Sequence, residues 1–321
     1  MKKIINIGIS SLLLLSAAIS SVSAASFPEH PIEVVVPFGA GGTTDVFARA
    51  FSRVMPKYLP NEQRIVVVNK PGGASTIGMS AVANADSDGY TVGMLPTGVL
   101  EIQPHYGRTN WTLDSFEPIM AFLEIPAAIN VHESSPIKTY DEWLTFVKDN
   151  PNKFTFTTSG GTGSSTHLSM EQYSRALGLK MRHIPFEGHA QSQSAVMSKQ
   201  VLGNYSLPDI HNGGEIRPII FLTNVKPAAE VYKDTPTAAD IGLKVSASYP
   251  IGIVAPKGIP AERAKIIHDA FKLALEDPEI IKFFETSSLP IVYKDAQSFK
   301  EELHERSAQN KETLIELGLI K

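Results

Sequence analysis

Residues 32–45 read IEVVVPFGAGGTTD: a β-branched run from Ile32 to Pro37, then Phe38, Gly39, Ala40, Gly41, Gly42, Thr43, Thr44 and Asp45. Directly after it, Val46, Phe47, Ala50, Phe51 and Val54 recur at helical spacing and predict a helix over Asp45 to Tyr58. The order is strand, glycine-rich loop, helix. Working outward, Ile65 to Val68 predicts a second strand, Ser75 caps a helix running to Asn84, and Thr91 to Leu95 predicts a third strand after the turn at Asp88-Gly89. These signals make parallel βαβ units and an α/β fold.

The alternation restarts after Asp114. Strands are predicted near Ala127 to Val131 and Phe154 to Thr158, with a helix between them from Thr139 to Asp149. A second glycine–hydroxyl loop follows: Ser159, Gly160, Gly161, Thr162, Gly163, Ser164, Ser165, Thr166 and His167, leading into a helix that ends at Ala176 before Gly178. Further strands are predicted at Met181 to Ile184, Ile219 to Leu222 and Ile251 to Ala255. Helices are predicted over Pro260 to Leu275 and Ala296 to Leu317. Each half of the chain thus carries one glycine–hydroxyl loop between a strand and a helix.

Such loops suit anions. The first turn of a helix exposes N–H groups with no internal partner, and the aligned peptide dipoles add roughly half a positive charge there. Glycines admit an oxygen closely, and Thr and Ser hydroxyls add donors without formal charge. One such loop reads equally well as turn chemistry plus a helix cap; two in equivalent places favour a ligand. For His167 two readings stand, bonding the loop above it or touching a ligand. Asp45 either caps N–H groups or meets a ligand amine.

Three enzyme signatures fail on these residues. A dinucleotide fingerprint needs glycine where Thr44 stands, a phosphate-binding P-loop needs a lysine that both loops lack, and neither G-x-S-x-G nor H-E-x-x-H occurs. A periplasmic hydrolase or lyase using the same cleft, and a receptor for an inorganic oxyanion, stay open as alternatives.

Composition narrows the class. With 321 residues, 43% hydrophobic and 19% charged, the chain has room for two domains. The balance of 29 basic against 33 acidic residues, without a basic run, argues against nucleic acid as a partner. The absence of cysteine excludes disulfides, thiolate metal sites and a cysteine nucleophile. No spacing suggests a metal site or a cofactor. At the N-terminus, Lys2 and Lys3 precede an apolar stretch to Ile19 and small residues at Ala24-Ala25, which predicts a cleavable signal peptide over 1–24 and a periplasmic location.

Taken in order, PIEVVVPFGAGGTTD from Pro31, VNKPGGA from Val68, DGYT from Asp88, SGGTGS from Ser159, IPFEG from Ile184 and APKGIP from Ala255 resemble the periplasmic solute-binding receptors of tripartite tricarboxylate transporters, the Bug-type receptors. The resemblance spans most of the chain. It implies a type II-like, Venus-flytrap receptor with two α/β domains, a mainly parallel sheet in each, and crossing hinge strands. The expected domains are 25–124 with 246–321, and 125–245. The resemblance also implies a carboxylate gripped between the loops Phe38 to Asp45 and Ser159 to His167, with Thr97 and Gly98 as a further contact. The ligand would be a small mono-, di- or aromatic acid. Membrane subunits of a transporter, or a sensor kinase, would be the partners of a free monomer. Phe38, Phe186, Tyr205 and Tyr249 are candidates for the distal pocket wall or for the core. The chain departs from the family pattern at Glu187, and at Lys199 and Leu202 in a shortened segment before Gly214.

Overall fold

The computed structural model describes residues 27–158, 161–186, 188–207, 214–227, 229–243, 250–287 and 289–321. The expected signal peptide, Ser159, Gly160, Glu187 and Tyr249 lie outside these residues. Strand β1 (Ile32–Val36) is buried on both faces. Val34 and Val36 pack with Phe47 and Phe51 of α1 (Thr43–Val54), while Val35 packs with Met79 and Val82 of α2 (Thr76–Ala83). Helices on both sides remove any need for a polar face, which is why Val34, Val35 and Val36 follow one another without alternation, while Glu33 near the strand start pairs with Lys70. β2 (Ile65–Asn69) and β3 (Thr91–Pro96) flank β1 in parallel, with Val34 opposite Val67 and Val92.

After α3 (Gly98–Ile102), β4 (Phe116–Glu124) leads through residues 125–127 into a second sheet built from β5 (Ala128–His132), β6 (Thr155–Thr158), β7 (Arg182–His183), β8 (Gly203–Ser206) and β9 (Ile216–Phe221). Helices α4 (Tyr140–Asp149), α5 (Ser165–Ala176) and α6 (His189–Met197) alternate with these strands. The chain is back in the first sheet at β10 (Pro250–Pro256) and finishes with α7 (Ala261–Ala274), α8 (Pro278–Thr286), β11 (Ile291–Lys294) and α9 (Ala296–Glu316). The six-stranded order is β11-β4-β10-β3-β1-β2, and the five-stranded order is β7-β6-β8-β5-β9.

Both sheets are mixed, which corrects the expectation of mainly parallel sheets. Parallel pairing is confined to β1 with β2 and β3, and to β6 with β7 and β8. The reason lies in the crossing. β4 leaves the first sheet and β10 returns to it, the two lie side by side from Glu124 opposite Pro250 to Phe116 opposite Pro256, and opposed passes pair antiparallel. β5 is likewise antiparallel to both β8 and β9.

The second core gathers Trp143, Phe154, Phe156, Tyr173 and Tyr205. Its central strand β8 is the polar tetrapeptide GNYS, fully buried, and its Asn204 Oδ1 accepts from Asn130 Nδ2 at 2.9 Å while Asn204 Nδ2 donates to Ser192 Oγ at 3.2 Å. Paired amides make this buried polar strand tolerable. Helix α9 ties the layers together. Gln172 Nε2 of α5 donates to Asn310 Oδ1 and Thr313 Oγ1, each at 3.1 Å, and Arg175 pairs with Glu316. Among the described residues no helix is long and apolar enough to cross a membrane.

Candidate functional site

β1, β3 and β6 each end in a loop that opens a helix, and ligands of open α/β sheets gather outside the carboxyl ends of parallel strands. In the first loop, Gly39 to Thr43 are exposed and Phe38 is half-buried, whereas Thr44 and Asp45 point inward. Gly42 holds the N-cap of α1 without a side-chain acceptor, so the first N–H groups of the helix stay free of a capping side chain. Gly41 sits at φ +81°, and a Cβ there would meet nothing within 4 Å. The loop is shaped by its own backbone.

Asp45 serves that shape. Its Oδ2 accepts from Arg49 Nε at 2.9 Å and from the Gly41 N–H at 2.8 Å, and its Oδ1 accepts from Asn69 Nδ2 at 2.9 Å. The Arg49 bond, reinforced by those from Gly41 and Asn69, outweighs burial and holds the carboxyl at about 2. Both oxygens are spent on the loop and its neighbours, and the backbone N–H from which Asp45 accepts is that of Gly41, before the N-cap, not one of the first N–H groups of the helix.

The second loop is braced from below. Ser164 caps α5 by accepting the His167 N–H at 3.3 Å, and its hydroxyl donates to Gly161 O at 2.8 Å. The Gly163 N–H donates to His167 Nδ1 at 3.0 Å, so the neutral ring carries its proton on Nε2, which lies 3.5 Å from Glu171 Oε1. Buried His167 stacks on His183 with centroids 4.1 Å apart. Burial, with help from the neighbouring His167, pushes the His183 ring down to about 3. His167 therefore supports the loop, as the first of its two readings had it.

These loops meet in one cleft of about 550 Å³. Phe38 lines it from the first loop, Gly98 from the third, and Thr162, Gly163, Ser164 and Ser165 from the second. Thr97 lies beneath, fully buried, its N–H bonded to Pro250 O at 2.9 Å. Tyr106 closes the junction: its hydroxyl donates to Gly163 O at 3.2 Å, and a Cβ on Gly163, which sits at φ +79°, would collide with that oxygen. Thr166 is half-buried beside the cap.

The expected aromatic wall is rearranged. Phe38 lines the cleft, Phe186 packs on Ala195, Val196, Val201 and Ile216, and Tyr205 is fully buried in the second core because β8 is the middle strand of its sheet. Ser75, expected to cap α2, occupies the N-cap with φ 73° and no side-chain bond, and lines the cleft instead. Gln103, Tyr106, Arg108 and Leu319 also line it. Reading the sequence missed them; short loops and a chain end carry no periodicity. Among the described residues no group of three His, Asp or Glu is placed to hold a metal.

Residues 47–319 match the family described as "Tripartite tricarboxylate transporter family receptor". The chain belongs to that family. It is similar to a UPF0065 protein of Bordetella pertussis, 32% identical over 288 residues that cover 88% of this chain and 87% of that one. Among solved structures it is similar to a TctC solute-binding protein from Polaromonas, at 28% identity and TM-score 0.78, covering 90% of this chain and 99% of that one. The periplasmic binding protein BugD gives 25% identity and TM-score 0.70 over 92% of this chain and 100% of that one. The fold is thus the two-domain receptor fold of tripartite tricarboxylate transporters.

Proposed function

We propose that this receptor captures a small organic carboxylate in the periplasm, between the loops 38–45 and 159–167, and delivers it to the membrane subunits of a tripartite transporter. The supporting observation is the cleft itself, where Phe38, Gly98 and Thr162 to Ser165, far apart in the chain, share one cavity with the hydroxyl-bearing Ser75. Its two domains are 25–124 with 246–321, and 125–245.

The energies suffice. Micromolar affinity is about −8 kcal/mol, and four to six charge-assisted hydrogen bonds supply on the order of 6–18 kcal/mol before ordering costs. A ligand bridging loops from two sheets favours the closed arrangement, and that difference is what a membrane partner recognises. The receptor does no chemistry of its own on this reading. Ser164 and His167, the pair that would suggest a hydrolase, are turned to Gly161 and Gly163 instead of to each other's reactive atoms.

A thermal-shift screen of the purified protein against carboxylic acids, amino acids and oxyanions tests this. A carboxylate should raise the midpoint in proportion to the logarithm of its concentration. A response to phosphate or sulfate with none to any carboxylate overturns the reading.

A further inference from the structure

Glu101 is a fully buried carboxylic acid behind the wall of the cleft. On the same short helix Gly98, Val99 and Ile102 line the cavity, and Ile102 is its next neighbour in the chain. Glu101 turns the other way, into the seam with α9. Its Oε2 accepts from Asn310 Nδ2 at 3.2 Å, while its Oε1 has no hydrogen-bond partner among the described residues. The Thr97 hydroxyl, one helical turn earlier, is buried without such a partner too, and it acts on the carboxyl from the N-cap of α3. A buried carboxylate with an oxygen left over is costly, and the cost disappears when the group takes up a proton.

The charges around it come from several elements. From α9, Arg306 favours the ionised form and Glu302 opposes it, and these two are bonded to each other at 2.8 Å. Lys294 of β11 bonds Glu302 and lies 3.9 Å from Glu124 of β4. The turn after α3 brings His105, whose ring is bonded to the Ser307 hydroxyl at 2.9 Å and feels Lys311. Helix α5 presents Leu168 and Gln172 to the seam, while its His167 and Glu171 lie 3.5 Å apart beside the second loop. Toward the first sheet, Leu100 packs with apolar Val35 and Leu95. Burial outweighs Arg306 and pushes the carboxyl up to about 7, so near neutral pH the group is poised between its two forms.

An anion entering the cleft puts a second negative charge across one short helix from this group. Like charge disfavours a carboxylate, so Glu101 holds its proton more firmly once the ligand is bound. By reciprocity the ligand is held more firmly once the proton is there. The same acid also reaches the second loop through one amide: Asn310 donates to Glu101, and its Oδ1 accepts from Gln172 Nε2 of α5, the helix that this loop opens, at 3.1 Å. Building on the carboxylate-receptor reading, we propose that the receptor binds its carboxylate together with a proton, held on Glu101, and that it therefore loads best on the acidic side of neutrality.

The test is calorimetric titration of the purified protein with a panel of carboxylates, acetate to octanoate, succinate to suberate and benzoate, all of which stay ionised above pH 6. Titrations near pH 7 in HEPES and in Tris, which differ in ionisation enthalpy, count the protons exchanged. A fivefold coupling gives an uptake of roughly a third of a proton per acid bound, and an affinity that falls about fourfold from pH 6 to 8.5. Glu101→Gln, which keeps the oxygen that Asn310 bonds and cannot ionise, should abolish the uptake and hold the low-pH affinity throughout. Arg306→Gln removes the cation that favours the ionised form and should move the fall in affinity to higher pH; this variant decides the matter should Glu101→Gln fail to fold. Acids that bind without proton uptake, or an uptake that survives in Glu101→Gln, overturn the role of Glu101 and leave the receptor reading standing. If no acid of the panel binds at any pH, the receptor reading fails and this inference falls with it.

Discussion

Glu101 accepts a hydrogen bond from Asn310 Nδ2 at 3.2 Å with none of its own surface exposed, joining α3 directly beneath the cleft to the C-terminal helix. Burial pushes its carboxyl up to about 7, against the pull of Arg306. An acid whose folded value lies above its unfolded one stabilises the protein below the unfolded value, and that contribution is lost as pH rises through the folded value. Stability should therefore fall between about pH 4.5 and 7 on account of this group. Glu101→Gln should flatten that fall in urea titrations; an unchanged slope would show that Glu101 ionises freely in the native state.

His183 works in the opposite direction. Its ring is held at about 3, well below the ordinary 6.5, so the unfolded chain takes up the proton first as pH drops. Its contribution is fully present above pH 6.5 and is lost as pH falls toward 3. In a proton NMR titration the His183 ring signals should stay constant from pH 8 down to about 5, and His183→Gln should lose less stability on acidification than the wild type. A ring that titrates near its ordinary value would contradict its burial beside His167.

Gly163→Ala meets two obstacles, a left-handed backbone and the Tyr106 hydroxyl. The variant should lose about 1–3 kcal/mol of stability and most of its ligand affinity. Adding Tyr106→Phe should recover the steric part of the stability loss and leave the backbone part, which a double-mutant cycle separates. Full recovery would mean that φ +79° carries no strain for alanine here.

Asp45→Ala leaves the Gly41 N–H, Arg49 and Asn69 without their acceptor. A loss of on the order of 3 kcal/mol is expected, together with faster amide exchange at Gly41 and at least tenfold weaker ligand binding. Because this carboxyl is held at about 2, its contribution is present above about pH 3.8 and is lost as pH falls toward 2. Loss of stability without loss of affinity would detach the shape of the first loop from binding.

The strands that sequence reading found are those with one simple cause. Val34 to Val36 is an unbroken buried run because helices cover both faces, and its neighbour at 91–96 is buried from Val92 to Leu95 in the same way, while 65–69 at the sheet edge keeps its apolar run with Val66 exposed. β4 escaped notice because Pro118 and two glutamates interrupt it, yet as the crossing strand it is held by β10 on one side and β11 on the other. β8 escaped because buried Asn204 takes its partners from Asn130 and Ser192, a pairing no local pattern records. The glycine loops were legible, since positive φ and open N–H groups demand those residue types. Tyr106 was not, because its place in the cleft depends on its touching Gly163, a contact made only when both sheets have formed.

The seam formed by α9 has a practical side for anyone turning this receptor into a biosensor. Glu316 is engaged with Arg175 and Leu319 lines the cleft, so a fluorescent protein fused after Lys321 would stand in the doorway of the ligand and perturb the signal it is meant to report. Reporter groups belong on a sheet edge that braces neither ligand loop, at β9, where the chain can be decorated without touching the seam.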